Sequence, residues 1–190
     1  TGSKSSSSPT GTSGGKTEIS VDGKIYRLVN MTNVTRPRYC VSAHHRTPHG
    51  SLVDRGANGG LAGADVRVLH RTGRKVSITG IDNHQLDGLD VVACAALIKT
   101  NHGIVVAIMN EYAYLGKGST IHSAGQIEWY KNKVDDRSKM VGGKQRIEFL
   151  DDYASPLECM GGLMYLAFQG IPNDDDLKQY PHVLMTGPHE

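Results

Sequence analysis

The sequence predicts a mostly β domain, on three observations. Short runs rich in β-branched and aliphatic residues recur at Ser51 to Asp54, Val66 to Leu69, Lys75 to Thr79, Leu89 to Ile98, Ile104 to Met109 and Arg146 to Leu150. Between them stand Thr72-Gly73, Asp87-Gly88, Asn101-His102-Gly103 and Gly142-Gly143, residue types that make turns and tolerate positive φ. Helical periodicity is confined to one short segment. At 190 residues the chain holds one ordinary core with length to spare.

Taken in order, Thr1 to Lys16 is almost wholly Ser, Thr, Gly, Lys and Pro, too poor in apolar surface to offset the entropy of ordering. Residues 1–16 therefore read as a disordered, Ser/Gly-rich linker. Ile19, Val21, Ile25, Tyr26 and Leu28 then flank Asp22-Gly23, a hairpin signal. From Thr120 to Trp129 the spacing of Ile121, Ala124, Gly125 and Ile127 predicts a short helix, with Ser119 or Thr120 as its cap. After Asp151 the text is loop-like apart from a strand at Gly162 to Leu166. The acidic run Asp174-Asp175-Asp176 and the apolar Val183-Leu184-Met185 follow, so 17–166 reads as the domain and 167–190 as a tail.

Composition narrows the function classes. With 38% hydrophobic and 6% aromatic residues and 23 glycines, large packing residues are few, and the chain is expected to complete its core as a homodimer. A net charge of +2 lacks the concentrated basic surface of a dedicated nucleic-acid binder. The N-terminal basic segment, Lys24, Arg27, Arg36, Arg38 and Arg46 with Tyr26 and Tyr39, offers a weak RNA contact, although a solvated charged face explains these residues more simply. The longest apolar run, Gly103 to Met109, is far below the ~20 residues of a membrane span, so no membrane partner is expected. Cys40, Cys94 and Cys159 are odd in number and far apart, which predicts free thiols in a reduced intracellular, cytoplasmic setting.

Several chemistries find no signature. His44, His45, His49, His84, His102 and His122 follow no metal-ligand spacing, so no metal and no cofactor is expected. Cys40, Cys94 and Ser51 lack a nucleophile elbow, and Cys94 reads as a buried small hydrophobe. The run Gly59 to Gly63 lacks the Gly-Lys-Ser/Thr ending of a phosphate loop.

One motif carries more. Leu52-Val53-Asp54-Arg55-Gly56-Ala57-Asn58 drives an apolar strand into an aspartate, then into a turn where Gly56 lets backbone approach closely. In isolation a carboxylate at such a point is an ordinary turn residue. The wider pattern resembles the protease segment of copia-type long-terminal-repeat retrotransposon polyproteins. Val53 to Asn58 is similar to that family's apolar-Asp-Ser-Gly-Ala turn. Thr120-Ile121-His122-Ser123-Ala124-Gly125-Gln126-Ile127 is similar to its Asn-Leu-Leu-Ser-Val-Gly-Gln-Leu block, and Gly162-Leu163-Met164-Tyr165-Leu166 to its Gly-Leu-Tyr-x-Leu.

The resemblance implies a retropepsin-like, closed-barrel acid protease fold with a short helix after a flap. It also implies a homodimeric aspartic endopeptidase, with Asp54 from each subunit as the catalytic pair and Arg55, Gly56, Ala57 and Asn58 as the active-site turn. The flap would fall between Arg71 and Gly88, bent at Gly73, Gly80 and Gly88, with Ile78 and Ile81 toward the cleft; ordinary strand packing explains those isoleucines equally well. Arg55 departs from the pattern, because the family's Ser or Thr ties the two turns together by its hydroxyl. Arginine has five donors and no acceptor, and a guanidinium turned inward opposes a shared proton. Turned outward, it is expected to pair with Asp65 or another carboxylate. The competing expectation is a catalytically inactive structural or RNA-associated module of the same polyprotein.

Overall fold

The structure is a computed structural model that describes residues 17–21, 24–28, 50–80, 84–150 and 152–187. The chain divides into two units after Val41. In the first, β1 (Thr17–Val21) and β2 (Lys24–Leu28) form an antiparallel hairpin with Val21 opposite Lys24, as the Asp22-Gly23 signal predicts. The predicted linker at 1–16 lies outside the described residues, as do Arg36, Arg38, Tyr39, Cys40, His44, His45, Arg46 and His49.

The second unit is mostly β. Its elements are β3 (Ser51–Asp54), β4 (Leu61–Ala62), β5 (Arg67–Thr79), β6 (Gln85–Thr100), β7 (Gly103–Tyr114), β8 (Ile121–Ser123), α1 (Ala124–Trp129) and β9 (Lys133–Asp135). A 3₁₀ turn (Lys139–Val141), β10 (Arg146–Glu148), β11 (Ala154–Met160), β12 (Leu163–Leu166), β13 (Phe168–Gly170), α2 (Asp174–Gln179) and β14 (His182–Thr186) complete it. All its strands join one sheet in the order β13-β6-β7-β4-β8-β3-β12-β11-β10-β9, with β14 on β7 and β5 on β6. The unit is thus mostly β, as expected, and its sheet is a curled half-barrel.

The long strands follow from their sequences. Val92, Cys94, Ala96 and Ile98 of β6 and Val105, Ala107 and Met109 of β7 alternate into the core, as one buried face of a pleated pair requires. Asn101-His102-Gly103 closes that hairpin. Gly103 has φ +108°, and Thr100 Oγ1 accepts the His102 N–H while donating to the Gly103 carbonyl. Thr72-Gly73 and Asp87-Gly88, expected to separate strands, lie inside β5 and β6 instead. Gly73 (φ +79°) falls in a β-bulge of β5, and Gly88 has φ +69° within β6.

Two expectations are corrected here. The helix is shorter than Thr120 to Trp129, because Ile121 and His122 pair in parallel with Leu52 and Val53 of β3 and so extend β8. Ser123, not Ser119 or Thr120, is the cap, accepting the Gln126 N–H at 3.1 Å. Residues 168–186 are also no tail. β14 lies parallel to β7, His182 opposite Val106, and buries Val183 and Met185 in the core. The acidic run before it starts α2, where Asn173 and Asp176 form a capping box.

This frame sets β3 between β8 and β12 in mid-sheet, with Asp54 at its C-terminal end.

Candidate active site

Asp54 leaves a strand whose other three residues, Ser51, Leu52 and Val53, are buried, while its own side chain is half-buried. The register sets it beside Ser123, the first capping residue of α1. Its Oδ1 accepts the Gly56 N–H at 2.7 Å, an Asx-type turn that fixes the carboxylate against the backbone. A Cβ on residue 56 would meet Oδ1 at 3.2 Å. Close approach is thus the local reason for glycine there.

The rest of the turn is held by α1. Ser123 Oγ donates to the Ala57 carbonyl at 2.7 Å. Gln126 Oε1 accepts the Gly60 N–H at 2.9 Å, and its Nε2 donates to the carbonyls of Asn110 (3.3 Å) and Glu111 (3.2 Å) in β7. Gly60 itself has no room for a side chain, since a Cβ would stand 2.3 Å from Tyr112 Cε1. Asn58 is exposed between these anchors.

Arg55 points away from the Asp54 carboxylate. Its Nη1 and Nη2 donate to Glu128 Oε2 and Oε1, both at 3.1 Å, its Nε to Asp136 Oδ2 at 2.7 Å, and Nη2 also to the Val134 carbonyl at 2.9 Å. These hydrogen bonds, to Glu128 first and then to Asp136, raise the guanidinium's pKa above its ordinary value. Asp65, one partner the sequence offered, instead accepts from the Thr120 N–H and from Thr120 Oγ1 at 2.6 Å.

The strands β3, β8 and β7 also carry a buried polar chain that sequence reading missed. His122 is fully buried on β8, with Nε2 2.6 Å from Ser51 Oγ and Nδ1 2.9 Å from Tyr112 Oη. Ser51 Oγ donates to the Leu166 carbonyl at 3.1 Å and therefore accepts from His122 Nε2–H. Tyr112 Oη–H then donates to Nδ1, so every member is satisfied with the imidazole neutral. Burial pushes the His122 pKa down to about 3 and the Tyr112 pKa well above its ordinary value. Ser51 and His122 are sealed from solvent, which leaves neither accessible as a nucleophile or base.

Beyond the turn, β5 and β6 run out as a long hairpin whose far half is largely exposed. Lys75 lies opposite Asp90, Ile78 opposite Leu86 and Thr79 opposite Gln85, and the Gly80 N–H donates to the His84 carbonyl at 2.8 Å near the end. Gly73 and Gly80 are exposed and Ile78 is half-buried, while Ile81 lies outside the described residues. Arg74 pairs with Glu111, a residue held at φ +63°. Arg71 stacks over the Tyr114 ring at 5.0 Å.

Other candidates are not brought together. His102 rests against the Tyr153 ring, far in sequence from His122, and among the described residues no three His, Cys, Asp or Glu side chains converge to hold a metal ion. Burial pushes the Cys94 thiol up to about 12, with Asp65 adding to the effect. An open hollow of about 310 Å³ is lined by Asp65, Ser119, Phe168 and their neighbours, not by Asp54. Among the described residues no helix is long and apolar enough to cross a membrane.

No family model, no curated protein and no solved structure matches this chain.

Proposed function

We propose that the chain is an aspartic endopeptidase of a retrotransposon polyprotein, working as a homodimer in which each subunit contributes Asp54. The reading rests on the resemblance of the Val53–Asn58, Thr120–Ile127 and Gly162–Leu166 blocks. The observation that carries it furthest is the Asp54 carboxylate: it stands at the end of a buried mid-sheet strand, gripped by the Gly56 N–H, while Arg55 is turned to Glu128 and Asp136. A guanidinium bonded to the carboxylate would favour its ionised form; its diversion removes that objection to a shared proton.

Two such carboxylates meeting at a twofold axis cannot both ionise, so the pair holds one proton. The ionised Asp54 takes a proton from water, and the water oxygen adds to the peptide carbonyl carbon. The protonated Asp54 of the other subunit gives its proton to the carbonyl oxygen. The tetrahedral diol collapses as its C–N bond breaks: the amine nitrogen takes a proton from the protonated Asp54, and one diol hydroxyl gives its proton to the ionised Asp54, which restores the singly protonated pair. No metal, cofactor or covalent intermediate enters. In this reading the β5–β6 hairpin is the flap over an extended peptide substrate, with Gly73 and Gly80 as bends and Ile78 toward the cleft. The setting is intracellular.

The alternative is a catalytically inactive structural or RNA-associated module of the same polyprotein, favoured by Arg55 standing where a hydroxyl is expected. Cleavage of a polyprotein-derived peptide library at acid and neutral pH separates the two. The endopeptidase reading expects cleavage that pepstatin inhibits and that Asp54→Asn abolishes, a loss of about 10³-fold or more. Cleavage surviving Asp54→Asn sinks the aspartic mechanism, and no cleavage by the wild-type dimer favours the silent module.

A further inference from the structure

We infer that Arg55 is a positioning residue: it clamps the Asp54 turn to α1 and to the β9 edge of its own subunit, and so sets the carboxylate's geometry within each chain. The inference rests on the reading of Asp54 as catalytic and deepens it.

The six-residue α1 grips the turn at three points. Its cap, Ser123, holds the Ala57 carbonyl; Gln126 holds the Gly60 N–H; Glu128 holds the Arg55 guanidinium through two parallel bonds of 3.1 Å. Ser123 and Gln126 secure the turn only from residue 57 onward. The stretch between the strand end and Ala57 carries the carboxylate, and there the anchor from outside the turn is the Arg55 side chain. Its fork also takes Asp136 and the Val134 carbonyl, and Val134 pairs with Ile147 of β10, so the clamp reaches the far edge of the sheet.

A lone exposed ion pair contributes little, because water screens it and two long side chains must be ordered. This one differs in kind. A bidentate fork that also holds a second carboxylate and a carbonyl specifies direction as well as charge. Lysine, a point charge, cannot span those acceptors. The hydroxyl expected at this position would tie one subunit's turn to the other's, whereas Arg55 ties the turn to its own chain. The two solve the same positioning problem, one between subunits and one within a subunit.

The test uses the full chain with Glu128→Gln, Arg55→Lys, Arg55→Ala and the double change Arg55→Ala with Glu128→Gln. Peptide-cleavage kcat and KM are measured, together with hydrogen exchange at the Gly56 amide that holds Asp54 Oδ1 and the urea midpoint. We expect each single change to speed Gly56 exchange and to lower kcat, both by about tenfold or more, with KM moving less than about threefold and the urea midpoint little changed. The double change is expected to match Arg55→Ala alone, since the Glu128 contact is already lost once Arg55 is removed. Arg55→Ala with wild-type exchange and kcat overturns the clamp, as does a double change whose losses simply multiply. Failure of the underlying reading looks different: a wild-type dimer without cleavage refutes catalysis by Asp54, and Gly56 exchange alone then decides the clamp. Cleavage that persists while Gly56 exchange ignores Glu128→Gln refutes the clamp and leaves the catalytic reading standing.

Discussion

Acid should weaken this fold through one buried side chain, His122. Its neighbours Ser51, Tyr112 and Phe168 are neutral, so nothing in contact compensates an imidazolium. Burial lowers its pKa from the ordinary 6.5 to about 3, so between those values the unfolded chain binds a proton that the folded chain refuses. The contribution is intact above pH 6.5, falls through the window down to about pH 3, and is flat below it. The slope within the window is about 1.4 kcal/mol per pH unit, which makes a loss of about 3 kcal/mol near pH 4.5 and an upper bound of about 5 for the whole window. Against a typical domain stability of about 5–15 kcal/mol that is a large share. Urea unfolding of wild type and His122→Gln at about pH 7.5 and 4.5, at one protein concentration, isolates the effect from titrating carboxylates. The Gln variant should be weaker near neutrality by about 1–3 kcal/mol, because the polar chain is disrupted. It should then lose about 3 kcal/mol less than wild type on acidification. Equal losses in the two proteins would refute the neutral, buried imidazole.

Three further outcomes follow from packing. Gly60→Ala drives a methyl into the Tyr112 ring and should cost about 1–3 kcal/mol in urea unfolding; an unchanged midpoint contradicts the close approach at 2.3 Å. Met185→Ala empties a fully buried site on β14 and should cost about 2–5 kcal/mol, whereas a loss below about 1 would return this strand to a tail. Native thiol labelling mapped by mass spectrometry should modify Cys159, which is exposed, and spare Cys94 until urea unfolds the chain; labelling of native Cys94 contradicts its burial.

Much of the fold was legible where structure is local. Ser51 to Asp54 forms a strand at the expected bounds, and the Asp22-Gly23 hairpin and the Asn101–Gly103 turn carry their signals in adjacent residues. Glycines inside strands misled, because a bulge and a turn call for the same backbone freedom, as Gly73 in β5 illustrates. The tail failed for another reason. β14 is defined by pairing with β7, more than seventy positions upstream, and Asp174 to Asp176 look like loop residues until Asn173 makes them a helix start. At the site, the Gly56 approach was readable, since only Asp54 two residues away sets it. The partners of Arg55 were not: Glu128 and Asp136 come from an element and an edge that only the folded sheet brings near, while Asp65, the candidate nearer in sequence, belongs to Thr120. His122 was missed because no pattern separates a buried imidazole from a surface one. Its position inside the Thr120–Ile127 block was the available hint, since β8 lies beside β3.

The central claim is tested most directly by the separation of the two Asp54 carboxyl groups in an experimental structure of the dimer. The account predicts oxygens about 3 Å apart across a twofold axis, close enough to share one proton, with Arg55 still on Glu128 and Asp136. A dimer whose Asp54 carboxyls face apart, or a stable monomer at working concentration, would contradict it.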